Sequence, residues 1–284
     1  MCNLNILMVQ ENLLKDKDIN RAISFMQKVT KESYKINDEG DGIAFNNIVF
    51  KSKNKLNLTK YKEYFKNSNL ILSHQRYITS GKNSIFTQPF NSREFIFAHN
   101  GVLNNYDYNK MSDTFNLFGA FIKVFKREQE NNKNLYNQKS REQLIVMTIK
   151  RLFDAKSEGS YSIGLIDKTT NTLYYFKNDK TTINFYKNHK YIYITTSINN
   201  HVYLKLLNKN FLSLDVKDYA IYKIKPNELS VVEIAQIKEP KQNTSLWGWC
   251  NRYAKNESKN KDDYEKEYYT HQSFYNNYGG YFSY

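Results

Sequence analysis

Two cysteines, Cys2 and Cys250, are too few to build a disulfide framework in a chain of 284 residues. No apolar run approaches the length that a membrane span needs. The first residues, Met1-Cys2-Asn3-Leu4-Asn5-Ile6, carry no basic leader and soon turn polar, so no export signal is read there. These absences together predict a cytoplasmic protein in a reducing compartment, with no membrane segment. No Cys/His cluster has zinc spacing and no Gly-rich phosphate loop occurs, so no metal and no other cofactor is expected. Internal repeats are absent, and so are the motifs that read DNA or RNA.

What the chain does have is positive charge, 42 Lys and Arg against 28 Asp and Glu, a formal net charge of +14. The lysines are scattered and accompanied by many Asn, Ile and Tyr. That pattern reads as composition bias, with a nucleic-acid partner as the less favoured branch. The densest basic stretch, residues 51 to 66, reads as a solvated loop and helix face. A hydrophobic content of 40% with 15% aromatics suffices for one large domain with a sizeable core.

Periodicity places the elements. Cys2 to Gln10 reads as a short strand, and Asp18 to Ser33 as a helix with Ile19, Ala22, Ile23, Met26 and Val29 on one face. A Gly-containing turn, Asn37-Asp38-Glu39-Gly40-Asp41-Gly42, leads into a strand from Ile43 to Lys51. Further strands are expected at Leu70 to Gln75 and Glu94 to His99. Asp113 to Phe125 is a helix capped by Ser112 or Asp113, Glu128 to Gln138 a polar loop, and Arg141 to Phe153 a second amphipathic helix. Then strands return at 160–167, 172–178 and 190–197, and a hairpin closes the series at 218–226 and 229–237. Strands, then helices, then strands suit two sheets with a helical layer, an α+β chain, rather than repeating βαβ units. From Lys238 the chain turns polar and tyrosine-rich without an apolar face, which predicts a partly disordered extension over 238–284 beside a domain over 2–237.

Cys2 directly follows the initiator methionine. Removal of Met1 would leave a thiol and a free α-amine on one residue, with ordinary pKa values near roughly 8.5 and 8. The amine is then placed to take the proton of the thiol. Four further pieces follow in order: "HQRYITSG" (74–81), "TQPF" (87–90), "FAHNG" (97–101) and "SDT" (112–114). With Cys2, they resemble the class II glutamine amidotransferases, the glutaminase domains of the N-terminal nucleophile hydrolases, and look closest to the amidophosphoribosyltransferase branch. "GSYSIGLID" (159–167) is similar to a strand of the same family.

The resemblance implies an αββα four-layer sandwich and hydrolysis of the glutamine side-chain amide through a thioester on Cys2. It implies that Arg76 holds the substrate carboxylate and Asp113 its ammonium, although a helix-capping role for Asp113 stays open. Asn100 and the Gly101 N–H would form the oxyanion hole. Tyr77 stands in the substrate-binding motif, and Thr79 and Gly81 would lie on a loop that closes over glutamine. His99 is expected beside the substrate as a structural histidine, and His74 as a satisfied strand-end residue. One departure stands out: the arginine that the family often carries in the turn before the second strand is missing, and Glu39 stands there instead. With no acceptor domain recognisable, the ammonia is expected to pass to a synthase on a separate chain. The rival readings are a non-catalytic glutaminase-like module and an N-terminal-nucleophile amidase for another amide.

Overall fold

The computed structural model describes residues 2–10, 16–79, 84–106, 111–133, 135, 138–154, 158–208 and 210–239. The extension expected from 238 onward lies outside them except for Lys238 and Glu239, and so does Gly81. Among the described residues, thirteen strands form two sheets. In chain order they are β1 (Asn3–Val9), β2 (Asp41–Phe45), β3 (Ile48–Ser52), β4 (Leu70–Gln75), β5 (Phe90–Asn91), β6 (Phe95–Leu103), β7 (Gly159–Asp167), β8 (Thr172–Lys177), β9 (Asn184–Lys187), β10 (Tyr191–Thr195), β11 (Leu212–Leu214), β12 (Ala220–Lys225) and β13 (Ser230–Gln236). The helices are α1 (Asp16–Tyr34), α2 (Lys62–Lys66), α3 (Asp113–Lys133) and α4 (Arg141–Phe153). One sheet runs β11-β9-β10-β1-β4-β2-β3 and the other β13-β12-β8-β7-β6-β5. Every strand pairing is antiparallel.

Alternation of side chains along each strand sorts the core into three seams. Leu4, Ile6 and Leu72 of the first sheet meet Ile96, Ala98 and Ile166 of the second between the sheets. Leu7, Ile43 and Ile71 point the other way, against Ile19, Phe25 and Met26 of α1. Phe97, Tyr161 and Ile163 pack under Leu117, Phe121 and Ile145 of α3 and α4. The layers are therefore helix, sheet, sheet, helix, as expected.

Three expectations need correction. The strand read over 43–51 is a hairpin, β2 and β3, turned at Asn46 with φ of 44°, a left-handed conformation that asparagine tolerates. The polar loop read over 128–138 is helical as far as Lys133. Two of its polar residues are not solvated: Glu128 is buried against Arg151 of α4, 3.0 Å away, and the Asn132 side chain exchanges two hydrogen bonds with the backbone of Lys139. Lys51, assigned to a solvated face, has its ammonium 4.8 Å from the centroid of the Phe90 ring, and desolvation pushes its pKa down to about 7.

Candidate active site

The site forms where two strand ends of one sheet meet a strand end of the other. Strands β1 and β4 pair with Asn3 opposite Gln75, so Cys2 and Arg76 leave the sheet side by side. The Tyr77 backbone N–H donates to Cys2 Sγ at 3.3 Å, and the thiol reaches the Tyr77 carbonyl at 3.4 Å. Burial raises the thiol pKa, the Tyr77 N–H and the Arg76 guanidinium lower it, and Asp113 raises it. Arg76 in turn feels the charges of Cys2, Glu39 and Asp113.

The facing sheet supplies "HNG" from β6. Its register sets His99, Asn100 and Gly101 opposite Ile163, Ser162 and Tyr161. Gly101 has φ of 148°, and a Cβ there would stand 2.0 Å from the Ser160 carbonyl oxygen, so only glycine fits. His99 is buried and tied in place: its N–H donates to Gln88 Oε1 at 2.7 Å, its Nδ1 lies 3.0 Å from Thr114 Oγ1 and its Nε2 3.3 Å from the Ser160 carbonyl. Desolvation lowers its pKa, opposed by Asp113 and the Ser160 carbonyl. His74 is buried as well, with Nε2 3.1 Å from the His99 carbonyl. Burial pushes its pKa down to about 3, so the ring is neutral and donates from Nε2. Its Nδ1 is buried without a partner, so the ring is only half satisfied.

Helix α3 starts at Asp113 and brings in the acid. Asp113 Oδ2 accepts the Leu103 N–H at 2.9 Å, which ties the helix start to the end of β6. Its Oδ1 accepts the Thr114 N–H at 2.7 Å and the Thr114 hydroxyl at 3.2 Å. Asp113 therefore serves the helix start and also faces the cleft.

Cys2, Arg76, Tyr77, Thr79, Gly101 and Asp113 line one open cleft. Asn100 does not line it; it is 5% exposed and its side-chain oxygen is buried without a hydrogen-bond partner. Gln88 and Thr114 line the cleft and were given no role from sequence, although both stand inside quoted motifs. The Gln88 amide donates to Thr114 Oγ1 at 3.2 Å and so binds the turn before β5 to the start of α3. Among the described residues no group of three His, Cys, Asp or Glu side chains could hold a metal ion, and no helix is long and apolar enough to cross a membrane.

Two solved structures share this architecture. One is a glutamine phosphoribosylpyrophosphate amidotransferase from B. subtilis complexed with ADP and GMP, with a TM-score of 0.50 and 14% identity over 82% of this chain. The other is described as the allosteric regulatory enzyme of purine biosynthesis, with a TM-score of 0.53 and 13% identity over 83% of this chain. The chain shares their fold, a four-layer sandwich of two antiparallel sheets between helices. In this sandwich the first strand lies at the centre of its sheet, and its leading end opens into the cleft. The chain spans about half the length of each of the two structures, 49% and 50%. No family model matches the chain, and no curated protein does.

Proposed function

We propose that the chain hydrolyses the side-chain amide of glutamine. The observation that carries this reading is the placement of a cation and an anion, Arg76 and Asp113, on the cleft that also holds the Cys2 sulfur. A free amino acid carries one group for each charge. The guanidinium offers a planar two-pronged fork for the carboxylate, and the aspartate receives the ammonium.

In the reaction so proposed, the α-amine of Cys2, freed by removal of Met1, accepts the thiol proton. The thiolate attacks the amide carbon and the carbonyl electrons move to oxygen. Collapse of that oxyanion breaks the C–N bond, the departing nitrogen takes the proton from the amine, and ammonia leaves a γ-glutamyl thioester on Cys2. Water, losing a proton to the amine, cleaves the thioester to glutamate and restores the thiol. The Gly101 N–H and the Asn100 amide are the donors proposed for the oxyanion. Asn100 must turn its amide into the cleft to act, and a closing segment around Thr79 supplies the occasion. Tyr77 contributes its backbone to the sulfur, and His99 holds β6 against α3. The ammonia is proposed to pass to a synthase partner in trans, whose docking raises the rate.

The deciding experiment measures glutamate release by the purified chain, with intact mass as a check on Met1. Wild type should turn over glutamine and lack Met1, and Cys2→Ala should be inactive. Full turnover by Cys2→Ala would sink the assignment. The orientation of Asn100 favours one alternative, a non-catalytic glutaminase-like module. In that case calorimetry would show glutamine binding, abolished in Arg76→Ala, with no glutamate formed.

A further inference from the structure

The turn in which the family resemblance implies an arginine carries Glu39 and Asp41, and both carboxylates are engaged. A Glu39 carboxylate oxygen accepts the N–H of Ile78. The backbones on either side are paired too: Glu39 N–H to Arg76 carbonyl at 3.2 Å, and Arg76 N–H to Gly40 carbonyl at 2.8 Å. Asp41 lies on the opposite face of the sheet, buried, and accepts the Gln75 side-chain amide at 2.9 Å and the Leu56 N–H at 2.9 Å. The line then continues across the strands. Asn5 donates to Gln75 Oε1 at 3.1 Å, and the Asn5 oxygen accepts from Tyr193, Thr195 and Asn200 at 2.7 to 2.9 Å. Each amide in this line has its direction fixed by the next group, and the carboxylate of Asp41 ends it.

Glu39 and Asp41 thus grip residues 78 and 75, on either side of Arg76 and Tyr77. We propose that these two carboxylates are positioning residues of the site: they fix the backbone from Gln75 to Ile78, and through it the Arg76 guanidinium and the Tyr77 groups that hold the Cys2 sulfur. Neither is a catalytic residue, since neither lines the cleft. The charged and titratable groups that face them are Arg76 for Glu39, and Lys55, Tyr34 and Tyr61 for Asp41.

The test uses the full chain and two readouts. The first is the pH profile of Cys2 alkylation by iodoacetamide, followed on the Cys2 peptide by mass spectrometry so that Cys250 is counted apart. The charged groups facing that sulfur are the amino terminus, Arg76 and Asp113. The second is KM and kcat for glutamine, which rests on the function proposed above; the alkylation profile does not, so loss of turnover in wild type would refute that function while leaving this inference decidable. Glu39→Ala and Asp41→Asn should each raise the Cys2 midpoint by about one pH unit, because a slack Tyr77 N–H no longer favours the thiolate. KM should rise about tenfold with a smaller fall in kcat. Glu39→Gln keeps an acceptor for Ile78 and should stay near wild type. The double variant Asp41→Asn with Gln75→Glu reverses the donor and acceptor between the two positions, so it should recover both readouts. Circular dichroism identifies folded variants. Folded Glu39→Ala and Asp41→Asn proteins with an unchanged Cys2 midpoint would overturn the proposal, and a folded double variant that recovers nothing would overturn its Asp41–Gln75 half.

Discussion

A single side chain decides whether the proposed site binds or reacts, and the two roles separate in kinetics. Arg76→Lys keeps the charge and loses the two-pronged geometry, so KM for glutamine should rise roughly ten- to a hundredfold with kcat little changed. Asn100→Ala removes a donor proposed for the transition state, so kcat should fall by about 10²–10³ at similar KM. Steady-state glutamate release checks both, and an Asn100→Ala variant altered only in KM would refute the oxyanion role. Cys2→Ser should lose nearly all turnover, since an alcohol is far less ionised than a thiol near neutral pH. Most of these residues were legible without coordinates, because Cys2, Arg76, Gly101 and Asp113 stand inside short motifs with a fixed order. Glu39 and Asp41 were visible only as a missing arginine. What they do depends on which donors stand across the turn and across the sheet, and one-dimensional spacing carries no such information.

At the scale of elements, a multidentate polar tie lies at the end of the second sheet away from "HNG". Arg141, the first residue of α4, makes a two-pronged contact with Asp167 at 2.8 and 2.9 Å and reaches Glu94 at 2.8 Å. Its guanidinium also lies 5.1 and 5.3 Å from the Phe95 and Phe125 ring centroids. Asp167 is fully buried, so Arg141→Ala strands an uncompensated charge and should cost about 3–5 kcal/mol. Urea denaturation measures that loss, and the variant that stays folded should keep its Cys2 alkylation profile. The amphipathic helices and long strands were readable because one face of each is apolar. The failures have two causes. Strands β9 and β11, four and three residues long, are too short to show a period. The last turns of α3 looked like loop because Glu128 and Asn132 are polar, yet both are buried against partners supplied by the segment that follows.

For the whole molecule, acidity is a usable probe. Burial raises the Asp41 pKa from 3.8 to about 6, against the pull of Gln75 and Leu56. The folded state therefore binds this proton more tightly than the unfolded chain does. The resulting stability is fully present below about pH 3.8 and is lost as pH rises through about 6, a change of about 3 kcal/mol. Comparing wild type with Asp41→Asn by chemical denaturation at several pH values isolates it: wild type should gain on the variant as pH falls from 7 to 4. An unchanging difference would mean that Asp41 titrates normally. Deleting residues 251 to 284 should leave glutaminase activity intact, because every proposed catalytic group precedes residue 114. Loss of basal turnover in a folded truncation would place part of the site in that segment.

The central position of β1 also sets a clock. Asn5 and Thr195, adjacent in the sheet, are 190 residues apart in the chain. At about 5–20 residues per second, a ribosome needs roughly 10–40 s to make that stretch. Throughout that interval the strand behind Cys2 lacks one of its two neighbours, and the chain's leading end stays within reach of an aminopeptidase. On the proposed removal of Met1, trimming should precede closure of the sheet, and a nascent chain halted before Tyr191 should carry Cys2 as its first residue while the sheet around β1 is still open.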